Sequence, residues 1–250
     1  MGWIHMPVET THDAYLDGRI TVEQPKEGYR AGSDAVMLAA AVQAKSGQSV
    51  LELGMGAGAV AKCLLWRVPE IAYFGVERVE TFVELALRNL DAAGHVVHAD
   101  IADLPETVAA RSFDHVIFNP PYYESAGRGE HALKMQAHVE ETALSDWVSV
   151  ARKRLKPKGH LTIIHRVERL ADVMVHLHGF GHVTVLPIAA RSGHAAKRIL
   201  VQARKATKGA SQLLAPFVMH DGDAHQGDGD DYSDAARQVL RDGAAIIMKK

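Results

Sequence analysis

A chain of 250 residues with 47% hydrophobic and 23% charged content is an ordinary globular protein, long enough for one sizeable α/β domain. Its net charge of −2 argues against a surface coated in basic charge for tight, non-specific nucleic-acid binding, and no apolar run is long enough to span a bilayer. The single cysteine, Cys63, excludes an intramolecular disulfide and fits a reducing, cytoplasmic location.

Met1 to Pro7 lacks a basic segment followed by a long apolar stretch, so no secretory leader is expected. Ala14 to Gln24 reads as a hairpin turning at Asp17-Gly18. Pro25 to Gly32 is a loop, after which Ser33 or Asp34 is expected to cap a helix through Ala35–Val42. Residues 1–46 are thus expected to be a hairpin-and-helix extension packed on a core domain of residues 47–250.

From Ser49 onward strand and helix alternate. Val50–Leu53 is a strand ending in glycines, and Ala57–Arg67 a helix closed by Pro69. Ala72–Val76 is a strand, Val79–Ala92 a helix and His95–His98 a short strand. Phe113–Phe118 is the fourth strand, and Leu144–Leu155 a helix stopped at Pro157-Lys158-Gly159. His160–Ile164 is a fifth strand and Glu168–His176 another helix. His182–Leu186 and Arg198–Ala203 have no helix between them and should pair antiparallel. Strands separated by helices imply an α/β fold: a mostly parallel twisted sheet with helices on both faces and an antiparallel terminal strand. Tyr123–Glu140, rich in Gly, Ser, Ala and His, reads as a lid or a surface loop.

Two strand ends carry chemistry. The first is Glu52-Leu53-Gly54-Met55-Gly56-Ala57-Gly58, where glycines let the backbone turn tightly and approach a ligand. Glu77 ends the next strand roughly 20 residues on, where a carboxylate accepts from ribose hydroxyls. Both a nicotinamide dinucleotide and S-adenosylmethionine fit this outline. Glu52 would oppose a pyrophosphate and suits the ammonium and sulfonium of S-adenosylmethionine. Asp100, just past the third strand, either accepts from an adenine amine or caps Ile101-Ala102-Asp103.

The second is Asn119-Pro120-Pro121-Tyr122. Two prolines have no N–H to donate, so the chain stops abruptly at the carboxyl edge of the sheet, where ligands bind in open α/β folds. Pro120 holds Asn119 extended. The Asn119 side-chain oxygen and the Pro120 carbonyl are acceptors for a planar amine, and Tyr122 offers a face for stacking.

Fifteen histidines are scattered without a recognised metal spacing, the closest groups being His176/His178/His182 and His131/His138, so no metal is expected. Asp221–Asp231 outlines a calcium loop, but His225 and Tyr232 stand at ligand positions, and it reads as a solvated loop. Arg152, Lys153, Arg154, Lys156 and Lys158 suit a helix C-terminus. Arg191, Lys197, Arg198, Arg204, Lys205 and Lys208 are the better candidates for phosphate contacts.

Glu52–Gly58, Glu77, Asp100 and Asn119–Tyr122, in that order, resemble the class I S-adenosylmethionine-dependent methyltransferases with an Asn-Pro-Pro-Tyr motif, over residues 47–204. The run Gln24–Leu38, the stretch Pro187–Ala203 and Tyr232–Ala235 narrow the resemblance to the YfiC-type bacterial tRNA adenine-N6 methyltransferases. The segment Gly94–Asp100 and the His- and Asp-rich tail depart from the pattern. The resemblance implies a Rossmann-like fold and methylation of an adenine N6 amine, near a tRNA anticodon. It also implies that Gly54, Gly56 and Gly58 hold the methionyl end of the cofactor, with Glu52 on its amino group, Glu77 on the ribose, Asp100 on the adenine and Asn119 bordering it. Asn119, Pro120, Pro121 and Tyr122 would hold the target base, and Arg30 and Asp34 would border the cleft with Arg191, Lys197 and Arg198 on the RNA. Other readings are methylation of an rRNA guanine or a glutamine amide, and a non-catalytic cofactor- or RNA-binding module.

Overall fold

The structure is a computed structural model describing residues 8–121, 142–224 and 231–248. Tyr122 and Tyr123–Glu140 therefore lie outside the described residues, as does most of the acidic 221–231 loop.

The chain opens with an antiparallel hairpin, β1 (Thr10–Tyr15) and β2 (Ile20–Pro25). Leu16, Asp17 and Gly18 turn it with φ of 50°, 56° and 80°. Consecutive left-handed residues match the twist of paired strands. Helix α1 (Ser33–Ala41) begins at Ser33, so neither Ser33 nor Asp34 is its cap: Gly32 is the N-cap and no side chain caps it. The Asp34 carboxylate instead accepts from Arg198 Nε at 2.8 Å.

The core alternates as β3 (Ser49–Leu53), α2 (Ala59–Arg67), β4 (Ala72–Glu77), α3 (Glu80–Leu90), β5 (His95–His98), α4 (Glu106–Ala109) and β6 (Phe113–Phe118). It continues with α5 (Leu144–Arg154), β7 (Leu155–Arg166), a 3-10 turn at Val167–Arg169, and α6 (Leu170–His176). Then come β8 (Phe180–Ala189), β9 (Ala196–Lys205) and the short β10 (Gln212–Leu213) and β11 (Phe217–Val218), before α7 (Asp234–Leu240).

One nine-stranded sheet results, ordered β10-β8-β9-β7-β6-β3-β4-β5, with β11 also on β8. β3 to β7 are paired in parallel, while β9 runs antiparallel to both β7 and β8, as its missing crossover helix dictates. From β3 the chain steps outward through β4 and β5, then returns to β3's other side as β6. The order therefore reverses between β3 and β6, and open α/β sheets bind ligands at the carboxyl ends of such a pair.

Strand β7 begins at Leu155, not after Pro157-Lys158-Gly159 as expected. The register slips against β6 between Phe113 and His115, and Lys158 takes φ of 66°. A bulge leaves room for a proline without a ladder bond.

Helix α1 is buried from Ala35 through Ala41, so it has no polar face to turn to solvent. The tail covers it: the Ile246 N–H donates to the Ala40 carbonyl at 2.8 Å, and Gln43 Nε2 donates to the Ile246 carbonyl at 2.8 Å. Helix α7 was not expected from the sequence, although Ser233 accepts from the Ala236 N–H as its cap. Cys63 is buried against this side of the sheet, and burial pushes its thiol up to about 12. No helix among the described residues is long and apolar enough to cross a membrane.

Candidate active site at the carboxyl edge

Leu53 and Phe118 are register partners, so the turns after β3 and β6 emerge side by side. Gly54, Gly56 and Gly58 have φ of 65°, 54° and 85°. All three positions lie in the left-handed region that favours glycine, which accounts for their alternate spacing. The loop is bound to β4 rather than hanging from β3. The Met55 N–H donates to the Val76 carbonyl at 3.0 Å, and its side chain lies so close to Gly75 that a Cβ there would meet Met55 Sδ at 2.2 Å.

Glu77 closes the cradle. Its Oε2 accepts from the Gly56 N–H at 2.8 Å, and its Oε1 accepts from the N–H groups of Arg78 and Val79, each at 2.9 Å. A carboxylate offers about four acceptor sites, so three protein donors leave one for a ligand hydroxyl. Asn89 joins the hairpin to the loop: its Nδ2 donates to the carbonyls of Glu23 at 2.8 Å and Ala57 at 2.9 Å. Its Oδ1 accepts from the Glu23 N–H at 2.8 Å.

Glu52 is 1% exposed and accepts from the Tyr73 hydroxyl at 2.6 Å. Burial raises its carboxyl to about 8, against the Tyr73 bond, which lowers it; the Glu77 charge raises it further. Two buried histidines shift the other way. Burial holds His115, at the start of β6, and His165, at the end of β7, down at about 4.

These three groups set a pH optimum for stability. An unfolded histidine titrates near 6.5, so each buried neutral histidine contributes stability that is present above that pH and lost as pH falls towards 4. Glu52 holds a proton when folded that an unfolded carboxyl releases near 4.5, so its contribution is lost as pH rises towards 8. Between about pH 4.5 and 6.5 the unfolded chain binds more protons, and above that the folded chain does. The unliganded protein is expected to melt highest near pH 6.5, and Glu52→Gln to remove the decline above it. A wild-type melting temperature that is flat from pH 6.5 to 8 in scanning calorimetry contradicts this.

Asp100 accepts from the Ala102 N–H at 2.8 Å through Oδ1, and its Oδ2 lies 3.7 Å from Arg78. It therefore performs the turn-capping role at the mouth of the same edge. Asn119 follows β6 half-buried, with Pro120 buried and Pro121 exposed. Tyr122 lies outside the described residues.

Two aromatic residues line this edge that the sequence did not mark. Trp147 of α5 is 7% exposed and packs on Phe118 with ring centroids 5.5 Å apart. It also fills the space beside Gly54, where a Cβ would meet its ring at 2.6 Å. Tyr29 lies 3.7 Å from where a Gly56 Cβ would be and meets Phe82 edge-on. Trp147 sits in an ordinary amphipathic helix, and Tyr29 in a loop, so neither had a local signal.

The expected RNA contacts are largely committed within the protein. Arg30 Nη2 pairs with both oxygens of Asp13, at 2.7 and 2.6 Å. Asp34 and Arg198, expected to border a cleft separately, pair with each other. Arg191 is 12% exposed at its side chain and pairs with Asp231, while donating also to the Asp221 and Gly222 carbonyls. Arg191, expected as a phosphate contact, is thus engaged by Asp231 and by the backbone at 221–222. Lys197 is exposed at the carboxyl end of the sheet beside Arg198. Among the described residues no group of three His, Cys, Asp or Glu side chains could hold a metal ion.

The family described as methyltransferase small domain matches residues 30–191. A tRNA1(Val) (adenine(37)-N6)-methyltransferase of a Flavobacteriaceae bacterium is 29% identical over 148 residues, 58% of this chain and 63% of that protein. One of the same name from Actinobacillus succinogenes is 24% identical over 76% of this chain and 83% of its own length. A crystal structure of a predicted O-methyltransferase from Agrobacterium tumefaciens superposes with a TM-score of 0.69 at 24% identity, covering 85% of this chain and 98% of that one. An S-adenosylmethionine-dependent O-methyltransferase from Thermotoga maritima gives 0.52 at 16% identity, covering 73% and 68%. These two likenesses establish a shared fold.

Proposed function

Because this chain belongs to the methyltransferase small domain family, we propose that it transfers a methyl group from S-adenosylmethionine to the N6 amine of an adenine in tRNA, near the anticodon. The observation that carries the reading is the Leu53–Phe118 register, which sets a glycine cradle beside Asn119-Pro120 at the switch point of the sheet. The names of the relatives support the adenine and the tRNA, and the alignment spans only 63% of the Flavobacteriaceae protein's length.

The cradle fits the cofactor. Three left-handed glycines leave no Cβ in the way, and the loop carries no lysine or arginine for a pyrophosphate. Gly54, Gly56 and Gly58 would hold the methionyl end, with Glu52 nearest its ammonium. The remaining acceptor site of Glu77 would take a ribose hydroxyl, and Asp100, which caps its turn through Oδ1, would hold the adenine through Oδ2. The hairpin braces this loop through the Glu23–Asn89 bonds, which supports reading residues 1–46 as an extension on the core. S-adenosylmethionine supplies a methyl group made electrophilic by its sulfonium.

The remaining work falls to Asn119 and Pro120. The exocyclic amine of adenine is a weak nucleophile, because its lone pair is shared with the ring. Two carbonyl acceptors turn its N–H bonds towards themselves and stabilise the positive charge that develops on nitrogen. Tyr122 provides the stacking face for a base that has left its helix. Fixed geometry then supplies much of the rate, and no strong base is required.

The test is mass spectrometry of digested tRNA from cells with and without the gene. Loss of N6-methyladenosine beside one anticodon, restored by the wild-type gene, is the expected result. Unchanged tRNA modification rejects the substrate, and the ribosomal RNA and protein amides become the next candidates.

A further inference from the structure

Opposite the catalytic edge, at the amino end of the parallel strands, β7, β9, β8 and β10 enclose a half-open cavity of about 230 Å³. Its polar lining is His160, His182, Thr184, Gln202, Arg204 and Gln212. No Asp or Glu is among the described residues that line it.

The sheet register explains how these residues meet. His160 and Arg204 are partners across β7 and β9, and Thr184, Gln202 and Gln212 are neighbours across β8, β9 and β10. The strand β8 bulges between Gly181 and Thr184, and His182 there takes φ of 50°. A bulge re-aims a side chain, and a histidine held left-handed is an uncommon conformation. The ring lies against Gly209, where a Cβ would meet it at 2.3 Å.

The surroundings are basic. Arg154 ends α5, Lys158 accepts through its carbonyl from Arg204 Nε at 3.4 Å, and Lys208 precedes Gly209. Lys205 spans to the Leu155 carbonyl at 2.6 Å, and its ammonium is held below its usual value by burial first, then by Arg154 and Arg152. The nearby carboxylate, Asp114, is taken up by Lys156 at 2.8 Å and by Ser49. Topology thus divides the later basic set of the sequence. Arg191, Lys197 and Arg198 stand at the catalytic edge, whereas Arg204, Lys205 and Lys208 join the α5 cluster at the opposite one.

We propose that this cavity is a phosphate-binding pocket, with Arg204 and His182 as its principal donors, and that its occupant is a backbone phosphate of the substrate RNA. A guanidinium, imidazole N–H groups, the Thr184 hydroxyl and the Gln212 amide N–H groups, with no opposing carboxylate among the described lining residues, match a phosphate's acceptor oxygens, while Gln202 Nε2 is committed to the Ala41 carbonyl and Thr162 Oγ1. Six residues of strand separate Arg204 from Arg198, about 20 Å. Only a structured RNA, not a lone nucleotide, reaches both edges. The choice of RNA rests on the function proposed for the catalytic edge, whereas the pocket's affinity for phosphate does not.

The experiment has two arms, using the full chain and the variants Arg204→Gln and His182→Gln. In the first, inorganic phosphate is titrated while the histidine ring resonances are followed by NMR. Saturable shifts in the wild type that are lost in Arg204→Gln are expected, and their absence overturns the pocket. In the second, binding of a tRNA transcript is measured across salt concentrations. Each variant is expected to weaken binding roughly tenfold, and Arg204→Gln, which removes a fixed positive charge, to flatten the slope of log affinity against log salt by about one. S-adenosylmethionine affinity, read at the far edge, should stay at the wild-type value and reports that the fold is intact. Phosphate binding with unchanged tRNA affinity overturns the RNA occupant in favour of a free phosphorylated molecule. A wild type that responds to phosphate but binds no tRNA overturns the proposed function and this occupant together, while upholding the phosphate site.

Discussion

Asn119→Ala is expected to lower kcat by about 10²–10³-fold, the range seen when one donor or acceptor that stabilises developing charge is removed. Binding of S-adenosylmethionine should change little, because the glycine cradle beside Asn119 is built from the backbone of β3 and β4 and tied down by Glu77, bonds that the substitution does not touch. Pro120 still holds the backbone extended in the variant, so the loss would be of the acceptor and not of the turn. Single-turnover methylation with saturating cofactor, together with calorimetric binding of S-adenosylmethionine, separates these effects. A kcat within threefold of the wild type would remove Asn119 from the mechanism. Equal losses of turnover and cofactor affinity would make it a cofactor ligand instead.

Gly54→Ala carries the second large effect, and its cause is steric. The residue would adopt φ of 65°, which costs about 1–2 kcal/mol for an L side chain. Its Cβ would also fall 2.6 Å from the Trp147 ring. Trp147 has little room to yield, being 7% exposed and packed on Phe118. Overpacking of this kind adds about 1–3 kcal/mol. The two together should depress the melting temperature by several degrees and S-adenosylmethionine affinity by roughly tenfold or more. Gly56→Ala supplies the contrast, since the nearest atom to its Cβ would be 3.7 Å away. It has the strain at φ of 54° without the collision and should destabilise the unliganded protein less. Pairing Gly54→Ala with Trp147→Leu should recover the steric part and leave the backbone part, giving a coupling on the order of 1 kcal/mol in a double-mutant cycle. Full additivity of the two substitutions would show that Trp147 does not press on the loop.

What could be read from the sequence was local. His95–His98 and Phe113–Phe118 form strands with the expected ends, because an apolar run between turn residues is a property of neighbours in the chain. Gly54, Gly56 and Gly58 announced a tight turn, which the structure builds from three left-handed residues, a backbone that glycine adopts without strain. Asn119-Pro120-Pro121 announced a strand end, because proline has no N–H for the ladder. The missing helix between β8 and β9 announced their antiparallel pairing.

What tertiary structure alone decided was which distant side chains meet. Arg198 pairs with Asp34 across 164 residues and Arg191 with Asp231 across 40, so two cations that composition leaves open for RNA are neutralised at the catalytic edge. Trp147 meets Gly54, and Asn89 joins a hairpin to the glycine loop, without any periodicity to foretell it. The antiparallel course of β9 sends Arg198 to one edge and Arg204 to the other, separating a basic set that is continuous in sequence. Glu52 and Glu77 look alike as acidic residues at strand ends. Burial leaves the first holding a proton up to about pH 8, whereas three backbone N–H groups engage the second. Backbone preference acts between neighbours and is written in the local sequence. Charge pairing, desolvation and steric contact act through space, and they are settled only once the sheet has set its register.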